Sequence, residues 1–155
     1  MAENQSSGLR QTGYAIAIAV NAGLIYVVTH LLEWDLLGFL TDEFEAVVPI
    51  IVFSLIVNIV VNFAYLWYDD EWFKTLGQLV SNVVALVATV RLFTVFPFDF
   101  SGYGFNVELG SAPFDLNWEF VTRAVLILAM VGLGIAIISE GVKLIGIVRD
   151  RASEA

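Results

Sequence analysis

Four long apolar runs, parted only by short polar stretches, leave this chain few ways to fold. They cover residues 14–32, 47–67, 76–98 and 120–148. Each is near or above the roughly 20 residues that an α-helix needs to cross hydrocarbon. Inside a bilayer every backbone N–H and C=O must find its partner within the protein, so an apolar run of this length is helical. The chain has 155 residues, 59% of them hydrophobic and 15% charged, where a soluble domain carries about a quarter charged residues. Its mean hydropathy is +0.82. The expected fold is all-α and integral to the membrane, a four-transmembrane-helix up-down-up-down bundle. Residues 1–155 make a single membrane domain. Outer loops at 33–46 and 99–119 carry short interfacial segments, and polar tails occupy 1–12 and 149–155.

Several kinds of chemistry are set aside by composition. The absence of cysteine removes thiol redox chemistry and cysteine-ligated metal. A single histidine, His30, removes a multi-histidine site within one chain. No nucleophile elbow, P-loop, paired helical histidines or glycine-rich dinucleotide turn is present. The expectation is a protein that is not an enzyme and takes no cofactor or metal. With a pI near 4.3 and no basic patch, nucleic acid is not an expected partner either.

Local signals sharpen the boundaries. The Ala15–Ala17–Ala19 spacing resembles a cleavage-site pattern, but the run continues to Leu32, which suits a retained first span. Asp42 and Glu45 have capping-box spacing ahead of span two, Pro49 falls in its first turn, and Asp70 is a natural N-cap for the helix of span three. The segment 33–46 mixes acids with Trp34, Phe39 and Phe44, a pattern suited to lying in the interface. Span three ends at Pro97, and the loop after it has room for a short hairpin around Tyr103 to Leu109. Span four would be about 43 Å long, more than the ~30 Å core, so it should tilt or project.

Charge placement orients the chain. The two loops after spans one and three hold nine acids (Glu33, Asp35, Asp42, Glu43, Glu45, Asp99, Glu108, Asp115, Glu119) and no Lys or Arg. Arg10, Lys74, Lys143, Arg149 and Arg151 fall on the other side. The positive-inside rule then predicts a multi-pass plasma-membrane protein with both termini in the cytoplasm and acidic extracellular loops.

The polar residues inside the spans are the candidate sites. Asn21, Asn58, Asn62, Gln78, Asn82 and Glu140 form a candidate polar layer. One reading is interhelical hydrogen bonding that sets register, at about 0.6 kcal/mol per bond; the other is a path for a cation or small solute. Glu140 is expected near the inner core boundary, snorkelling or pairing with Lys143. Arg91 faces away from the Gln78–Asn82–Thr89 stripe. With Arg123, His30 and Glu33 it forms a candidate anion, lipid-headgroup or ion-pair site.

The stretches WYDDEWFKTLGQ (Trp67 to Gln78) and VRLFTVFPFDFS (Val90 to Ser101) resemble those of small four-helix integral membrane proteins of bacteria with no assigned activity. That resemblance implies fold and location and brings no catalytic residues. The expected function is that of a non-enzymatic accessory or scaffold subunit, self-associated as a homo-oligomer or docked on a larger membrane complex, with the lipid bilayer as its surroundings. The alternatives are a small oligomeric channel or transporter using the Asn-lined layer, and a lipid- or anion-binding protein centred on Arg91.

Overall fold

The computed structural model describes residues 2–34, 37–68, 70–102, 106–109, 112–115 and 117–153, with side chains over 10–34, 37–68, 70–102 and 117–153. Asp35, Asp69, Tyr103 and Phe105, and the side chains of Glu108, Phe114 and Asp115, lie outside what is described. Four long helices carry the chain: α1 (Ala2–His30), α2 (Val48–Tyr65), α3 (Glu71–Val95) and α4 (Trp118–Ser153). All four are long and apolar enough to cross a membrane, so by length and composition this is a multi-pass membrane protein. A 3-10 turn, η1 (Asp42–Ala46), precedes α2, and a two-stranded hairpin, β1 (Asn106–Leu109) with β2 (Ala112–Asp115), separates α3 from α4. Asn106 pairs with Asp115 and Leu109 with Ala112, so the hairpin sits further along the loop than Tyr103 to Leu109.

The helices outrun the apolar runs. Residues 2–12 and 149–153, expected as tails, continue α1 and α4. Extending an existing helix adds a hydrogen bond for each residue fixed, whereas nucleating a new one does not. At 36 residues α4 is about 54 Å long. Helix ends follow local chemistry. Pro49 stands in the first turn of α2. Asp70 occupies the N-cap of α3 in an extended conformation without a side-chain cap bond. Asp42 and Glu45 form no capping box, because their segment winds into the 3-10 turn and Val47 takes the N-cap of α2. A cap that the sequence reading missed lies at α4, where Phe120 N–H donates to Asn117 Oδ1 at 3.0 Å. Pro97 stops α3 because it has no N–H and disfavours the α region for the residue before it. Phe96 accordingly turns left-handed, with φ 45°.

Each helix touches only its neighbours in sequence. Among the described residues, α1 meets α2, α2 meets α3 and α3 meets α4, while α1 and α4 do not meet. The chain is therefore a row of four helices rather than a closed ring. Contacts at both ends of each pair set the register. Tyr14 packs on Tyr65 with ring centroids 5.3 Å apart, while Val28 and Leu32 lie beside Val48 and Pro49. Between α3 and α4, Lys143 reaches Glu71 at 3.5 Å and Arg123 lies 3.8 Å over the Phe96 ring.

The tightest packing lies at the two ends of the α2–α3 pair. At one end the 37–47 segment folds across the exit of α3 instead of lying flat. Thr41 N–H donates to Pro97 O at 3.1 Å, Asp99 N–H to Phe39 O at 2.8 Å, and Leu40 bridges Phe98. Val47 and Pro97 are fully buried there and Phe44 is 5% exposed. At the other end Tyr65 Oη donates to Lys74 O at 2.7 Å across the helix pair, and Thr75 is 1% exposed. Gly77 leaves the space that the Tyr65 ring fills. A Cβ there would meet the Tyr65 hydroxyl and come within 2.8 Å of Val61 Cγ1. Gly77→Ala should therefore lower stability by about 1–3 kcal/mol, whereas Gly132→Ala, with nothing within 4 Å of the new methyl, should not. Thermal unfolding of the two variants in one detergent checks the contrast.

Candidate functional polar layer

A polar side chain in a helix can bond the carbonyl one turn back on its own helix, and here most do. Asn21 Nδ2 donates to Ala17 O at 2.7 Å, Asn58 Nδ2 to Ser54 O at 3.0 Å and Asn62 Nδ2 to Asn58 O at 2.8 Å. The hydroxyls of Thr75, Thr89 and Thr94 donate to Glu71, Ala85 and Val90 carbonyls in the same way. The asparagines thus do not bond from one helix to the next as the register reading required. Each bonds its own helix through one N–H and keeps its carbonyl oxygen unspent. Gln78, exposed, and Asn82, half-buried, make no side-chain hydrogen bond among the described residues. Ser81 Oγ and Glu140 Oε2 are buried without a partner.

Register brings several of these groups to common levels. Asn21 lies seven residues past Tyr14 and Asn58 seven before Tyr65, so the Tyr14–Tyr65 contact puts the two asparagines at one height. Gly77 meets Val61 and Tyr65, which sets Asn82, five residues on, at the height of Asn58. One turn nearer the termini Gln78 comes level with Asn62, and about a turn beyond that Tyr14 and Tyr65 share a height with Glu140. Tyr65 interacts electrostatically with both Tyr14 and Glu140.

The α3–α4 seam holds two of the polar-layer residues. On α4 the half-buried positions Leu126, Met130, Leu133, Ile137, Glu140 and Leu144 alternate by four and three, as in a coiled-coil seam. On α3 the matching row is Thr75, Leu79, Asn82, Leu86, Thr89 and Phe93. Glu140 therefore occupies a half-buried seam position between Ile137 and Leu144. The expected Lys143 partner is engaged elsewhere, by Glu71.

The second set of candidates does not converge. Arg91 is exposed on α3 and makes no ion pair among the described residues. Arg123 is tied to Glu119 at 3.0 Å and stacked on Phe96. His30 belongs to an aromatic ladder, 4.3 Å from the Tyr26 ring and 5.7 Å from Trp34, with Nδ1 2.8 Å from Tyr26 O. A carbonyl opposite Nδ1 requires that nitrogen to carry the proton. Glu33 is exposed beside Glu45 at the rim of a cleft of about 210 Å³ between α1 and α2. Because α1 meets neither α3 nor α4, His30 and Glu33 stand apart from Arg91 and Arg123. A single four-residue anion site is not assembled.

Beyond the other end of α3 lies a pocket of about 330 Å³ lined by Asp99, Ser101, Asn117, Trp118 and Glu119 with Phe98 and Phe100. Ser101 N–H donates to Asp99 Oδ1 at 2.9 Å. That backbone bond, and then the Ser101 hydroxyl, hold the Asp99 carboxyl below its usual range.

No family model matches the chain, and neither does any curated protein or solved structure.

A carboxyl lowered in the folded state adds stability above its ordinary pKa, and that contribution fades as pH falls through the lowered value. Ser101→Pro, which removes both donors, should return Asp99 towards an ordinary aspartate, and Ser101→Ala should do so in part. Carboxyl titration by NMR of the labelled protein checks both.

Proposed function

We propose that the chain is an up-down-up-down membrane protein with both termini in the cytoplasm. In this reading it acts as a non-enzymatic scaffold or accessory subunit that self-associates or docks on a larger membrane assembly. The observation that carries this reading is the unclosed row of helices. The edge helices α1 and α4 do not meet, and neither has a buried residue among those described. Both edges present small residues. Ala15, Ala19 and Gly23 are exposed on α1, and Gly132, Ser139 and Gly146 on α4. No side chain comes within 4 Å of a Cβ built at Gly23, Gly132 or Gly146. Membrane helices associate through such faces because they allow close backbone approach. Purification in a gentle detergent should therefore yield several copies per particle or a co-purifying partner. Monomer alone would overturn the proposal.

Orientation rests on the Lys and Arg asymmetry of the loops. The chain has no cysteine, so single introduced thiols report cleanly. A membrane-impermeant maleimide should label Ser101→Cys in intact cells and Ser153→Cys only after permeabilisation.

The second reading, a small oligomeric channel or transporter, is favoured by the unspent carbonyl oxygens of Asn21, Asn58 and Asn82 at one height. Hydrocarbon offers such acceptors nothing, whereas water or a permeating solute does. It requires cation or solute flux into proteoliposomes that falls at least several-fold on replacing Asn58, Asn62 and Asn82. Flux unchanged by those substitutions would remove it.

A further inference from the structure

Glu140 is the one acid in the apolar seam between α3 and α4, and its surroundings leave its charge unanswered. Its Oε2 is buried and has no hydrogen-bond donor. The ammonium three residues away, Lys143, is 3.5 Å from Glu71. A carboxylate oxygen shut away from water without a donor or counter-charge is costly, so this half-buried acid has capacity for a cation.

What faces it is oxygen. Lys143–Glu71 at one end and Arg123–Phe96 at the other set Glu140 opposite the turn Lys74–Gln78 of α3. Side chains lean towards the N-terminus of their own helix. The Glu140 carboxylate therefore leans towards the height of Gln78, and the Asn82 side chain, one turn further on, leans back towards it along the antiparallel helix; neither amide carbonyl is used in any hydrogen bond among the described residues. Tyr65 Oη spends its proton on Lys74 O and so presents lone pairs at this level. We propose that Glu140, with the amide oxygens of Asn82 and Gln78, coordinates a hard monovalent cation of the Na⁺ type in the α3–α4 seam. The donor set decides the class. All ligands are oxygen, which suits hard cations, and only one is charged, which matches a single positive charge. No group of three His, Cys, Asp or Glu that would hold a multivalent metal occurs among the described residues.

This inference goes beyond the scaffold reading and stands or falls separately from it, because its readout is cation binding and not copy number. The test uses the full chain purified in detergent, with NaCl exchanged for choline chloride at constant ionic strength. The expected result is a saturable rise of about 3 °C in the unfolding midpoint with Na⁺. The rise should be lost in Glu140→Gln and in Asn82→Leu and retained in Asp150→Asn, which removes an exposed carboxylate near the same end of the seam and leaves the Lys143–Glu71 pair intact. Excess ²³Na relaxation on the wild-type protein is the companion readout and needs no variant to fold. A midpoint and a relaxation rate indifferent to Na⁺ would overturn the site. A response that survives Glu140→Gln, or that Asp150→Asn abolishes equally, would overturn it too, as diffuse surface charge.

Discussion

A polar side chain in an apolar setting must bond something, and the nearest acceptor is the carbonyl one turn back on its own helix. That local bond governs how this protein is built. Asn21, Asn58, Asn62, Thr75, Thr89 and Thr94 all take it. Donors that might have held one helix to the next are consumed within a helix. Cohesion then comes from apolar seams and from the ends of the central pair. There Tyr65 bonds the Lys74 carbonyl, and the segment before α2 bonds Pro97 and Phe39 bonds Asp99.

The same local bonding leaves a residue of unmet capacity. An asparagine that donates one N–H to its own helix still carries a carbonyl acceptor. Ser81 and Glu140 keep buried oxygens without partners. These groups are spread over all four helices, several of them at heights that the register contacts bring together across neighbouring helices. An array that ends in two unpartnered edge helices and holds unspent oxygens along its inner seams is suited to meeting further components: another copy, a partner, water or a cation.

Much of this was legible in the chain. Length and hydropathy are enough to mark four helices, because backbone bonding in hydrocarbon admits no other form for such runs. Pro49 and Pro97 act locally and fall where expected, at the start of α2 and the end of α3. The layer residues sit on the helices assigned to them. Three things were not legible. Asp42 and Glu45 had the spacing of a capping box, but the bonds tying 39–41 to 97–99 wind that segment into a 3-10 turn. The Asn117 cap was missed, although an asparagine just before an apolar run is the signal that marks it. Of the two outcomes expected for Glu140, snorkelling or pairing with Lys143, the second does not occur because Lys143 pairs with Glu71, and spacing along one helix says nothing of a residue on the next.

Sequence alone determined the four long helices and the proline-marked start of α2 and end of α3, for these depend on interactions within a few residues: hydrogen bonds one turn apart, the missing N–H of proline, the length of an apolar run. Tertiary structure decided which helices meet, that the row stays open between α1 and α4, and that Glu140 is half-buried in a seam while Arg91 is left exposed. Those outcomes depend on rotation and register between helices. A helical wheel gives relative angles but has no second helix against which to fix them.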